Sequence, residues 1–127
     1  MKARVLVVDD EEIVIRSCLR ILGDDGDYEV EAAQDGLEAL KKIDEVHYDI
    51  LILDIMMPKM DGTEVAMLLK NDMRTRHIPI FFVTAVIAPE DQAYTKGSPN
   101  LIFAKPLKLH ELLMAINNLS MDGPSGG

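Results

Sequence analysis

Four short apolar runs decide the architecture. Val5-Leu6-Val7-Val8, Ile50-Leu51-Ile52-Leu53, Ile80-Phe81-Phe82-Val83 and Leu101-Ile102-Phe103-Ala104 each have the length of a strand, and each is continuously apolar. Such a run asks for cover on both faces, the environment of a strand inside a parallel sheet. A fifth segment, Tyr28-Glu29-Val30-Glu31-Ala32, alternates and reads as an edge strand with one wet face. Between the runs apolar residues return at helical spacing, at Val14, Cys18, Ile21 and Leu22 and again at Leu109, Leu112, Leu113 and Ile116. Asp35-Gly36-Leu37-Glu38 and Asp61-Gly62-Thr63-Glu64 each put an N-cap acid three residues before a Glu, opening a second and a third helix. Pro89 fits the first turn of a brief fourth helix, ended by Gly97, Ser98 and Pro99. The order is strand then helix, five times over. That alternation predicts an α/β fold: a five-stranded parallel sheet with helices on both faces and right-handed crossovers.

Size and charge narrow the function classes. A chain of 127 residues fits one domain, expected over residues 1–119, with 120–127 a flexible tail or truncated linker. No apolar run approaches the roughly 20 residues that span a bilayer, so no membrane association is expected. Met1-Lys2-Ala3-Arg4-Val5 leads at once into a short apolar segment ending in acids, unlike a secretory signal. Cys18 is the one cysteine, which allows no internal disulfide and fits a cytoplasmic location. A net charge of −9 argues against direct nucleic-acid binding, which needs clustered Lys and Arg.

The polar residues carry the chemistry. Asp9 and Asp10 follow the first strand, Asp54 closes the third, Thr84 the fourth, and Lys105 the fifth. All five lie at carboxyl ends of strands, where open α/β sheets build their sites. One acid there could simply start a loop; five such residues along one sheet edge make a site. Carboxylates about 5 Å apart repel by about 3 kcal/mol per pair at an effective dielectric near 20. The cluster must take up a proton or bind a cation. With only oxygen donors and no Cys or His nearby, magnesium is favoured over zinc. Lys105 and the Thr84 hydroxyl could then hold phosphoryl oxygens while an Asp carboxylate attacks phosphorus, giving an acyl phosphate.

These residues together resemble the two-component response-regulator receiver domain (CheY-like) along nearly the whole chain. The matching pieces are Asp9-Asp10-Glu11, Asp54-Ile55-Met56-Met57-Pro58-Lys59-Met60-Asp61-Gly62, Thr84-Ala85 and Lys105-Pro106. The resemblance implies a flavodoxin-like (βα)5 fold with strand order 2-1-3-4-5. It implies a phosphorelay in which Asp54 accepts phosphate from a histidine kinase or histidine phosphotransfer protein. Mg²⁺ would be held by Asp10, Asp54 and the Met56 backbone carbonyl, with Asp9 acting mostly through water. Thr84 and Lys105 would contact the phosphoryl group and shift, signalling to a downstream protein, an effector domain or a second copy in a weak dimer. The Lys105–Pro106 bond would be cis. The residue three before the family's lysine is commonly an aromatic switch; here it is Ile102, and strand alternation assigns its neighbour Phe103 to the core. In the family the residues two past the phosphoacceptor and two past the Thr flank the water that would hydrolyse the acyl phosphate; here they are Met56 and Val86, both apolar.

Two other classes fit less well. An Asp-nucleophile phosphatase of the haloacid-dehalogenase type wants a general acid two residues past the nucleophile, where Met56 stands. A flavin binder would need its first loop to cradle phosphate, which Asp9-Asp10-Glu11-Glu12 would repel. The chain is therefore expected to be a signalling phosphoacceptor and not an enzyme acting on external substrates. Met56, Met57 and Met60 read as space-filling residues, His47, His77 and His110 as solvated surface, and Cys18 as a buried structural thiol.

Overall fold

The structure is a computed structural model that describes residues 3–24, 26–57, 60–84, 101–104 and 109–122. Five strands, β1 (Ala3–Val8), β2 (Tyr28–Ala33), β3 (Ile50–Asp54), β4 (Ile80–Thr84) and β5 (Leu101–Ala104), form one sheet in the order β2-β1-β3-β4-β5. Every neighbouring pair is parallel. The alternating segment is the edge strand β2, as its pattern requires. The strand order reverses between β1 and β3, and the crevice beyond their carboxyl ends is the usual ligand position in such sheets.

Strand periodicity sorts the apolar residues onto two faces. Val5, Val7, Ile50, Ile52, Phe81 and Val83 pack with Ile15, Cys18 and Leu22 of α1 (Glu12–Gly23) and with Leu112 and Ile116 of the C-terminal helix (Leu109–Asp122). Leu6, Val8, Leu51, Leu53 and Ile80 pack on the opposite face with Ala39 of α2 (Gly36–Glu45) and with Val65, Ala66 and Leu69 of α3 (Gly62–Lys70). Continuous apolarity thus means one residue for each core in turn. Each fully buried aliphatic side chain contributes about 1.5–3 kcal/mol, and truncating Leu51 to Ala would cost about 2–5 kcal/mol through lost contact and a cavity.

Phe103 meets Phe81 edge-on at 5.9 Å and joins the first core, the place strand alternation assigns it. Tyr28 donates its hydroxyl proton to Asn117 at 2.6 Å, fastening β2 to the C-terminal helix. The two expected N-caps form: Asp35 Oδ1 accepts from the Glu38 amide at 2.8 Å and Asp61 Oδ1 from the Glu64 amide at 3.0 Å. Each satisfies an orphan helix donor. Pro58, Lys59, residues 85–100 (with Val86 and the Pro89 helix), Lys105, Pro106 and the 123–127 segment lie outside the described residues. No helix among the described residues is long and apolar enough to cross a membrane.

Candidate functional site

The register of the central strands builds the site. Val8 of β1 stands beside Leu53 of β3, so the next residues, Asp9 and Asp54, emerge together at the carboxyl edge. Carboxylate oxygens of Asp9, Asp10 and Asp54 all lie within 4.8 Å of one another. Asp9 and Asp54 are each only 1% exposed, whereas Asp10 faces solvent. Val83 of β4 is the partner of Asp54, and Thr84, 3% exposed, follows it at the same edge opposite Ala104 of β5. Four of the five residues singled out from the sequence therefore share this edge, and the fifth, Lys105, follows Ala104 outside the described residues.

Backbone hydrogen bonds hold the acids in place. Asp9 Oδ1 accepts from the Glu11 amide at 2.8 Å, and Asp54 Oδ1 from the Met56 amide at 3.2 Å. Both are short-range turns in which a carboxylate caps the chain two residues on. Glu11 is the N-cap residue of α1, so Asp9 also lies beside a helix N-terminus, which favours negative charge. Cys18, beneath the site on α1, has its thiol pushed up to about 12, first by burial and second by the charge of Asp9. The thiol stays protonated and inert at neutral pH, which makes it the structural cysteine expected.

Two further contacts bear on the loop after β3. The Gly62 amide donates to Ile55 O at 2.8 Å, and a Cβ on Gly62 would overlap the Asp54 carbonyl. Only glycine lets the first turn of α3 close onto the backbone of Asp54. Sequence reasoning used the two Asp-Gly pairs as helix openings and missed this packing; the repeated Asp-Gly itself was the available signal.

The methionines need a correction. Met57 and Met60 pack against the second core, but Met56 is 62% exposed and fills no space. Its amide is turned inward to Asp54, and the chain reverses there with the side chain outside. His47 and His77, distant in sequence, stack with ring centroids 6.1 Å apart, although both remain exposed as expected.

Three buried or edge carboxylates with only oxygen donors are the donor set of a hard divalent cation. The model of the response regulator receiver domain matches residues 5–117. The chain belongs to this family. Its receiver domain is 36% identical over 137 residues to the response regulator PleD of Caulobacter vibrioides, covering 99% of this chain but 30% of PleD. It is 31% identical over 119 residues to the polar-differentiation response regulator DivK of Brucella ovis, covering 93% of this chain and 96% of DivK. Among solved structures, a CheY-like receiver domain protein from Methanospirillum hungatei superposes with a TM-score of 0.84 at 26% identity, covering 100% of both chains.

The receiver domain is thus a signalling phosphoacceptor of a two-component system, and its acid triad is of the type that forms a receiver metal site. The phosphatase and flavin-binding readings are set aside. A histidine kinase is the class of partner that a receiver domain implies.

Proposed function

We propose that Asp54 is the phosphoacceptor and that Mg²⁺ is its cofactor. The observation that carries the reading is the 4.8 Å grouping of Asp9, Asp10 and Asp54, two of them buried, at the edge where Thr84 also ends its strand. Asp10, Asp54 and the Met56 carbonyl would hold the ion directly, and Asp9 mostly through water. When bound, the ion neutralises the carboxylates and the charge of the incoming phosphoryl group.

An Asp54 oxygen attacks phosphorus as the bond to the donor imidazole nitrogen breaks. The electron pair leaves with that nitrogen, which takes up a proton. The Asp9 carboxylate, held by the Glu11 amide, fixes the loop that presents Asp10. Thr84 and Lys105 contact the phosphoryl oxygens, and their movement carries the signal. The donor is a histidine kinase or a phosphotransfer protein. The output goes to a separate protein, a joined effector domain or a weak dimer, in the cytoplasm and without direct nucleic-acid contact by this domain. The matched region makes up 30% of PleD and 96% of DivK, so relatives occur both with and without much further sequence.

Incubation with acetyl phosphate and Mg²⁺, followed by intact mass, tests the reading. One phosphate should be added to the wild type, and none to Asp54→Asn or after chelation. Undiminished labelling of Asp54→Asn would overturn the assignment.

A further inference from the structure

Gly36 opens α2, where helix propensity gives no reason for glycine, a poorer helix former than alanine. Conformational freedom gives none either: among the described glycines only Gly26 has a positive φ. The reason lies in what a side chain would strike. A Cβ on Gly36 would stand 2.8 Å from the Met60 carbonyl oxygen, 2.8 Å from Val65 Cγ2 and 3.0 Å from Met60 Cβ. Two of these atoms belong to the loop that leaves Asp54, carries Met56 and returns at Gly62.

That loop is closed at its base by the Gly62 amide on Ile55 O at 2.8 Å. Met60, two residues before that closure, rests against Gly36. The β2–α2 junction that presents Gly36 is itself anchored to the other half of the site, because the Asp9 amide donates to Ala33 O at 3.1 Å. Within the junction, the Gln34 amide donates to Glu38 Oε1 at 2.8 Å and Asp35 caps the helix. One short segment, residues 33–36, therefore touches both the strand end bearing Asp9 and the loop bearing Met56.

We propose that Gly36 is a positioning residue for the cation site. Its bare α-carbon seats the β2–α2 junction against the Met60 carbonyl and so fixes how far the loop after Asp54 stands from Asp9 and Asp10. The inference rests on the metal reading above. It predicts that a single methyl group, outside the acid cluster, weakens metal binding by moving the loop.

The test uses the full chain as wild type, Gly36→Ala, Val65→Ala and the double variant. Each is titrated with Mg²⁺ while backbone amide shifts are followed, and each is melted in chelator. The Val65 contact is side chain and is relieved by Val65→Ala; the Met60 carbonyl contact is not. Gly36→Ala should raise the Mg²⁺ dissociation constant about tenfold, the range typical of groups that orient metal ligands. The double variant should bind no better than Gly36→Ala whatever its melting temperature, because the Met60 carbonyl contact persists, and Val65→Ala alone should bind as wild type. Should Gly36→Ala fail to fold, the double variant carries the same comparison. Affinity within about twofold of wild type in Gly36→Ala, or affinity restored with stability in the double variant, would overturn the proposal. A wild type that does not respond to Mg²⁺ would overturn the metal reading instead. The metal-free amide shifts of Ile55, Met56 and Gly62 then decide this one, supporting it if Gly36→Ala moves them and ending it if they stay.

Discussion

The two edges of the sheet treat aspartate in opposite ways. At the amino edge, Asp44 and Asp72 share the Arg74 guanidinium at 3.4 and 3.0 Å, and Asp49 takes the Arg4 amide at 2.8 Å and His47 at 3.3 Å. These groups sit in water, where ion pairs are screened and contribute little. At the carboxyl edge, Asp9 and Asp54 are buried and crowded with Asp10 within 4.8 Å, and each accepts from a backbone amide two residues on. The surface acids are scattered, each beside a basic side chain in water; the carboxyl-edge acids are gathered, and two of them are withdrawn from water. Crowded like charge of this kind is relieved by a divalent cation, which also offsets the charge of an incoming phosphoryl group.

The largest effect that would break this contrast lies in metal binding. Asp10→Ala should weaken Mg²⁺ by at least about tenfold, read from amide shifts, while Thr84→Ala leaves binding nearly intact and impairs only the response to phosphorylation. Equal loss in both variants would mean that Thr84 belongs to the cation site. A smaller effect concerns lifetime. Met56, exposed beside Asp54, offers no hydrogen bond to a water approaching the acyl phosphate. Met56→Asn should therefore shorten the half-life of the phosphorylated form in a decay assay; an unchanged or longer half-life would remove Met56 from that role.

The contrast between edges is sharpened by stability in chelator. Asp10→Asn relieves like-charge repulsion and should raise unfolding free energy by about 1 kcal/mol, since Asp10 is solvated and screened. Saturating Mg²⁺ should reverse the order, because wild type then gains more from the ion. The smallest effect belongs to the other edge. Arg74→Ala should leave both phosphorylation and the melting temperature unchanged, whatever the Mg²⁺ concentration. A Mg²⁺-dependent loss in Arg74→Ala would show that the two edges are coupled.

Much of this was legible in the sequence, and the residues show why. Continuous apolar runs marked the central strands because each of their residues faces one core or the other, as Leu51 and Ile52 do. Asp9, Asp10, Asp54 and Thr84 were legible because strand ends in a parallel sheet converge on one edge by topology alone. The exposure of Met56 was not, since it depends on a turn closed by its own amide. Nor was the stacking of His47 on His77, which brings together residues from different loops. The seating of Gly36 under Met60 was hidden for the same reason: a missing side chain says nothing until the neighbour it would strike is known.

The central claim is that the crowded edge takes a phosphoryl group on Asp54. Reduction of the labelled protein with borohydride converts an aspartyl phosphate to homoserine, and peptide sequencing by mass then reads its position. The account predicts homoserine at position 54 alone, formed only with both phosphodonor and Mg²⁺. Homoserine at position 9 or 10, or its formation without Mg²⁺, would contradict it.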